Sequence, residues 1–300
     1  MPLSGLITAM ATPFDEKGAL NIEATARLAV WLMEKRVDGL FIGGTTGEGL
    51  LLNLDERKTL TETVVGAVGD RVTVLVQAGC ASTAETIELG RHAVEAGAHG
   101  AAVLSPFFYG ADHIAMVEHF TAVANAVPEL PIYLYNIPGN TRNAITTKIV
   151  GAVLGRAPNV AGIKDSSKDL VLLQKMIRMA PEGFAVLVGS DSVLLPGLAV
   201  GAVGGVSAAS TAFPEIVGEI VRSFRDGNLS AARAAQERLN ALLEVLKIGP
   251  TPAGYKAALA RRGLPVGGVR APLRGFTPDE QLSFEKAFDE VWGKANENAR

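Results

Sequence analysis

Eight short apolar runs, rich in β-branched residues, recur through about the first three-quarters of the chain. They fall at residues 6–9, 39–42, 72–77, 101–104, 132–135, 160–164, 185–188 and 204–206. Their spacing of roughly 20 to 35 residues is the length of a strand plus a crossover helix. Amphipathic patterns fill the intervals, at 22–36, 83–96, 112–126, 146–154, 170–179, 193–200 and 214–224. The first of these sets Leu28, Trp31 and Leu32 against the charges of Glu23, Arg27, Glu34 and Lys35. Ser82 with Glu85 three residues on forms a capping box ahead of the second, and Pro214 stands where a first helical turn tolerates it. Strict strand–helix alternation implies a parallel sheet covered by helices. Eight units favour closure into an α/β fold of the (β/α)8 TIM-barrel type. An open doubly wound sheet would carry a glycine-rich turn after its first strand, and Met10-Ala11-Thr12-Pro13 has no such glycines.

After about residue 226 the strands stop. Helical patterns at 229–247, 253–262 and 279–292, with a Gly/Pro-rich link at 263–278, predict a three-helix extension. The expected division is therefore a catalytic barrel, 1–225, and a C-terminal helical region, 226–300, packed on the barrel or on a neighbouring subunit. A chain of 300 residues that is 48% hydrophobic with 33 glycines suits one large core with many tight turns. Its net charge of -3 gives no reason to expect nucleic acid or an acidic membrane surface as a partner. Apolar stretches are broken too often to span a bilayer, and the opening MPLSGLITAMATPF lacks the basic and long apolar regions of a secretory signal. Cys80 is the sole cysteine, which rules out an internal disulfide framework and fits a reducing compartment. A cytoplasmic protein is expected. The histidines, His92, His99, His113 and His119, fall at no metal-ligand spacing, so no metal site is expected.

In a barrel of this kind chemistry gathers at the C-terminal ends of the strands. The second run ends in Gly43-Gly44-Thr45-Thr46-Gly47-Glu48-Gly49. Its glycines and hydroxyls can converge on a small anion such as a carboxylate, or can simply make a βα turn that needs positive φ angles. No Lys-Ser/Thr follows at the spacing of a phosphate loop. The fifth run ends in Tyr135-Asn136-Ile137-Pro138, placing a phenol at the barrel mouth as a proton relay or as a rim aromatic. The sixth ends in Lys164, followed by the polar turn Asp165-Ser166-Ser167. A lysine there can reach solvent as a cation, or be desolvated by apolar walls and attack a carbonyl. Gly189-Ser190-Asp191-Ser192 ends the seventh run and offers hydroxyls and a carboxylate, or a helix N-cap.

The order of GGTTGE, then YNIP about 90 residues on, then GIKD about 30 after that, resembles the dihydrodipicolinate synthase / N-acetylneuraminate lyase family. The resemblance covers essentially the whole chain, including the opening GLITAMATPFDEKG, the GAVGGVSAAS stretch and the C-terminal PTPAGYKAAL and GGVRAPL segments. It implies a class I, cofactor-free lyase that binds pyruvate or another 2-oxo acid as a Schiff base. Carried over by motif, Lys164 forms the imine, Tyr135 moves the protons and Thr45 and Thr46, with Gly47, hold the carboxylate. The Val206 backbone lies beside pyruvate C3. A homotetramer, or a dimer of this kind, is also implied. A non-catalytic 2-oxo acid binder would keep the barrel and lose the lysine or the tyrosine, and this chain keeps both.

The chain departs from the best-known synthases at two places. They continue the tyrosine motif with an arginine five residues on, which grips the second substrate's carboxylate, and here Asn140 stands there with Arg142 two positions later. They also carry Pro-Tyr-Tyr, whose second tyrosine joins the proton relay across a subunit interface. Here Pro106-Phe107-Phe108 offers no hydroxyl, although Tyr109 follows. With Asn140, Ser190 and Asp191, these departures favour pyruvate and a hydroxylated aldehyde, hence an aldolase for 2-keto-3-deoxy sugar acids or other 4-hydroxy-2-oxo acids. The alternative is 4-hydroxy-tetrahydrodipicolinate synthase, which condenses pyruvate with aspartate semialdehyde.

Overall fold

The computed structural model describes residues 3–297, the last four in backbone alone. Residues 1–2 and 298–300, the outer ends of the two expected regions, lie outside the described residues. Eight parallel strands close into a barrel in chain order, β1 to β8. The elements run β1 (Gly5–Ala9), α1 (Ile22–Glu34), β2 (Gly39–Ile42), α2 (Leu54–Val68), β3 (Thr73–Gln77), α3 (Thr83–Glu95), β4 (Gly100–Leu104) and α4 (His113–Ala126). They continue with β5 (Ile132–Asn136), the single turn α5 (Pro138–Thr141), α6 (Thr147–Leu154), β6 (Val160–Asp165), α7 (Leu170–Met179) and β7 (Ala185–Val188). The barrel ends with α8 (Leu194–Ala199), β8 (Gly204–Ser207) and α9 (Pro214–Arg225). Every predicted run is a strand, with ends moved by a residue or two.

Two periodicities build two cores. Alternate strand residues point inward, so Ile7, Phe41, Leu75, Tyr133, Tyr135, Leu187 and Val206 fill the barrel. Their neighbours, such as Leu40, Ile132, Leu134 and Ile163, face the helices in a larger outer core. Burying each large side chain contributes roughly 1.5–3 kcal/mol. Gly162 is the exception that proves the space is short: a Cβ there would lie 2.7 Å from the Tyr133 ring and 2.5 Å from the Ala185 carbonyl. The same parity that puts Gly162 inside puts Lys164 inside.

Besides the single turn α5, one helix escaped the sequence reading. The interval between β2 and β3 holds α2, whose polar run Asp55-Glu56-Arg57-Lys58 hides a narrow buried stripe of Leu60, Val64 and Val68. Its signal was a full capping box, in which Asn53 accepts from the Glu56 N–H and Glu56 accepts from the Asn53 N–H. At the box expected before α3, only half forms. Ser82 Oγ accepts from the Glu85 N–H, while the Glu85 carboxylate takes the Ser82 hydroxyl instead of its backbone N–H.

The C-terminal region follows as α10 (Leu229–Leu246), α11 (Ala253–Arg261) and α12 (Pro278–Glu297). Helix α10 packs along α9 and against α12. Phe284 and Phe288 of α12 bury their rings, and Phe288 and Trp292 meet Phe213 between the end of β8 and the start of α9. Among the described residues no helix is long and apolar enough to cross a membrane.

Candidate active site

Strands β5 and β6 pair so that Tyr135 faces Lys164 and Asn136 faces Asp165. The second pair locks the first. Asn136 Nδ2 donates to Asp165 Oδ1 at 2.6 Å, and Asn136 Oδ1 accepts from the Ile145 N–H at 2.8 Å. Ser167 Oγ donates to the other carboxylate oxygen at 2.7 Å. Burial pushes the Asp165 carboxyl up, against the pull of the Ser167 and Asn136 hydrogen bonds. A one-residue slip here would turn Lys164 out of the barrel, so this bonded pair pins the residue that matters.

Lys164 is 4% exposed, and its amine lies 4.0 Å from the centre of the Tyr135 ring and 4.3 Å from that of Phe41. No ion pair joins it to a carboxylate among the described residues, which leaves the nitrogen available to a ligand. Phe41 and Tyr135 meet edge to face, their centres 5.7 Å apart, and fix each other. The Tyr135 hydroxyl shares a 3.3 Å hydrogen bond with Thr45 Oγ1. The amine over the Tyr135 ring and the phenol bonded to Thr45 thus come together from β6, β5 and the loop after β2.

That loop is folded tightly. Gly43 takes φ +66°, and a Cβ at Gly49 would lie 1.7 Å from the Gly43 carbonyl oxygen, so no other residue fits. Thr45 is exposed at the crest, Thr46 is buried, and the Gly47 carbonyl accepts from Thr12 Oγ1 at 2.5 Å. Glu48 follows in the left-handed region, φ 54° and ψ 28°. Its carboxylate points down into the protein, where Lys256 Nζ of α11 pairs with Oε1 at 2.7 Å and the Arg270 N–H donates to Oε2 at 2.8 Å. Both side chains are buried, Lys256 at 3% exposure and Glu48 at 0%. Lys256 also donates to the Gly268 carbonyl at 2.7 Å and lies over Phe14. Burial pushes the Lys256 ammonium down from its ordinary value, and Glu48 opposes that. Arg270 reaches on to both oxygens of Glu56 and to the Gly18 carbonyl.

Of the other predicted residues, Val206 and Asp191 stay close to the lysine, since Val206 shares the inner cluster of Phe41 and Tyr135 and the Lys164 charge pulls against the burial that raises the Asp191 carboxyl. Val206 is on β8 inside the barrel. Asn140 is on α5 and, with Thr45, borders a cavity of about 260 Å³. Ser190 and Asp191 do not line it. The Ser190 hydroxyl is 3.3 Å from that of Ser192 at the rim. Asp191 is buried, and its Oδ2 accepts from the Ala208 and Ala209 N–H groups. Burial pushes its carboxyl up, against the pull of the Ser207 hydroxyl and those two amides. It braces the turn after β8, and Gln236 of α10 in turn donates to the Asp191 carbonyl at 3.0 Å. Arg142 is exposed in a left-handed cap after α5 and does not line the cavity. Phe108 and Tyr109 stand 85% and 78% exposed on the loop before α4, and the Tyr109 hydroxyl makes no hydrogen bond among the described residues. Phe41, Asn136, Asp165, Glu48, Lys256 and Arg270 were missed by sequence reasoning. Among the described residues no group of three His, Cys, Asp or Glu side chains is arranged to hold a metal ion.

Residues 2–291 match the Dihydrodipicolinate synthetase family. The chain is 39% identical over 283 residues to an uncharacterised DapA-like lyase of Halobacterium salinarum, covering 94% of this chain and 92% of that one. It is 40% identical over 273 residues to the 4-hydroxy-tetrahydrodipicolinate synthase of Heliobacterium modesticaldum, covering 91% and 90%. Among solved structures it resembles a prophage protein of the dihydrodipicolinic acid synthase family from E. coli K12 in complex with pyruvate. That likeness has a TM-score of 0.91 at 30% identity, over 96% of this chain and 98% of that one.

Proposed function

The chain belongs to the dihydrodipicolinate synthetase family of class I, pyruvate-dependent Schiff-base lyases, and from that premise we propose that Lys164 carries pyruvate as an imine while the enzyme makes or breaks a C–C bond between pyruvate C3 and an aldehyde. One observation carries the reading: the buried Lys164 amine faces Tyr135, whose hydroxyl is bonded to Thr45. The amine adds to the ketone and water leaves, giving an iminium. In the cleavage direction the C4 hydroxyl proton passes to the Tyr135 relay, the C3–C4 bond breaks, and its electron pair flows into the iminium to give an enamine. The aldehyde departs, C3 takes a proton back, and water releases pyruvate and the free lysine. Thr45, Thr46 and the Gly47 N–H hold the carboxylate, and the Val206 backbone flanks C3.

The aldehyde half is that of a 2-keto-3-deoxy sugar acid or another 4-hydroxy-2-oxo acid. Support comes from the cavity beside Thr45, which Asn140 borders and which no lysine or arginine lines. A second carboxylate there would go without a charge-assisted hydrogen bond, each worth about 1.5–3 kcal/mol. Ser190 at the rim would bond a substrate hydroxyl, and Asp191 acts by holding the β8 turn. The second reading, condensation with aspartate semialdehyde, is favoured by the name of the Heliobacterium relative. The exposed rings of Phe108 and Tyr109 suit a subunit contact in a homotetramer or homodimer, and a cytoplasmic location fits the same reading.

Borohydride reduction in the presence of pyruvate, followed by mass measurement, tests the imine. A pyruvate-sized increment is expected on the protein and not on Lys164→Ala; equal labelling of both would refute the assignment. Pyruvate release from 2-keto-3-deoxygluconate, assayed beside condensation with aspartate semialdehyde, separates the two readings. Efficient condensation without cleavage would favour the synthase.

A further inference from the structure

The cavity that begins at Thr45 is walled by six apolar side chains from separate parts of the chain. Leu50 and Leu51 come from the turn after the anion loop, Leu104 from the end of β4 and Phe107 from the loop that follows it. Ile137 comes from the end of β5 and Leu273 from the link before α12. Its other polar groups are already engaged. Thr141 Oγ1 is bonded to the Ile137 carbonyl and to Ser105 Oγ, and Gln77 Oε1 accepts from Arg57. Glu48 is spent on Lys256 and Arg270. Only the Asn140 amide and the Gln77 Nε2, among the described residues, face this space with no partner of their own. At the mouth Leu50 is 50% exposed and Leu273 36%, apolar surface that an occupant would cover.

We infer that the aldehyde half of the substrate carries an apolar body, alkyl or aryl, which lies along these six side chains, with Asn140 reading one hydrogen-bonding group on it. The inference rests on the imine chemistry proposed for Lys164 and, of the two substrate classes proposed above, selects the 4-hydroxy-2-oxo acids with an apolar tail over the sugar acids. A polyhydroxylated chain in this cavity would leave hydroxyls without partners along the leucine and phenylalanine walls, whereas each buried methylene gains affinity. The cavity of about 260 Å³ admits a body the size of a phenyl ring. The contact runs on without a break from Thr45, and so from the Tyr135 hydroxyl, to the walls.

Condensation with pyruvate along the series acetaldehyde, propanal, butanal and benzaldehyde, beside glyceraldehyde, tests this on the wild-type chain. The second-order rate constant should rise about fourfold per added methylene, hence about sixteenfold from acetaldehyde to butanal. Benzaldehyde should exceed glyceraldehyde. Leu273→Asn, at the half-exposed mouth, should flatten the series. If pyruvate is trapped on Lys164 yet the series is flat or glyceraldehyde leads, the apolar walls belong to a subunit contact and the inference is overturned. If no pyruvate is trapped, the lysine chemistry falls and takes this inference with it.

Discussion

Replacing Lys256 by Met removes a charge from a place where water cannot substitute for it. Glu48 is fully buried and would keep one backbone N–H, that of Arg270, as its partner. At the observed 2.7 Å the Coulomb attraction at an effective dielectric of about 20 is about 6 kcal/mol. Much of that offsets the cost of bringing both ions out of water. Breaking such a pair by removing one member costs about 3–5 kcal/mol, because the other is left uncompensated. With an unfolding entropy of about 2.1 cal/mol/K per residue over 300 residues, Tm should fall by about 5–8 °C. The double variant Lys256→Met, Glu48→Gln should recover most of this, since no lone charge remains. Catalysis supplies a second readout. Glu48 is two residues past Thr46, so the single variant should raise the KM for pyruvate more than it lowers kcat. Calorimetry on the wild type, the single and the double, with steady-state kinetics on each, decides it. A single variant as stable as the wild type, or a double no better than the single, would refute the claim that this pair holds the loop.

Two further outcomes are expected. Tyr135→Phe keeps the ring over Lys164 and removes the hydroxyl, so pyruvate should still be trapped by borohydride while kcat falls 10²–10⁴-fold; a loss under tenfold would remove Tyr135 from the proton path. Glu56 is held below its ordinary value of 4.5, chiefly by the Arg270 hydrogen bonds. Its folded pKa lies under its unfolded one, so its contribution is complete above pH 4.5 and is lost as pH falls through the folded value. The Tm gap between wild type and Arg270→Gln should therefore be wide at pH 6 and narrow toward pH 3; a constant gap would refute the pairing.

The strands and the strand-end position of Lys164 were legible because both leave local marks. An apolar run ending in Lys164 can be seen in a handful of residues, and so can GGTTGEG. Helix α2 left a fainter mark, since its buried stripe is narrow and its exposed face heavily charged. The supports of the site left none at all. Glu48 and Lys256 lie in segments far apart in sequence, and each alone reads as an ordinary surface charge. Asn136 and Asp165 were visible as neighbours of Tyr135 and Lys164, but only strand register shows that they bond to each other. Asp191 shows the opposite case. Its setting among serines suggested a group open to substrate, and only the fold shows that it is buried and accepts from the Ala208 and Ala209 amides.

The brace on Glu48 also sets an order in time. Arg270 lies 222 residues downstream of the carboxylate it holds. A chain emerging from the ribosome can pair all eight strands long before that residue is free to dock, since domains assemble as their parts appear. Such a nascent barrel would have its lysine and its tyrosine in place and still lack a settled grip on the acid. Competence to hold pyruvate would then be acquired late and abruptly, when the final helices swing home, and not gradually as the strands accumulate.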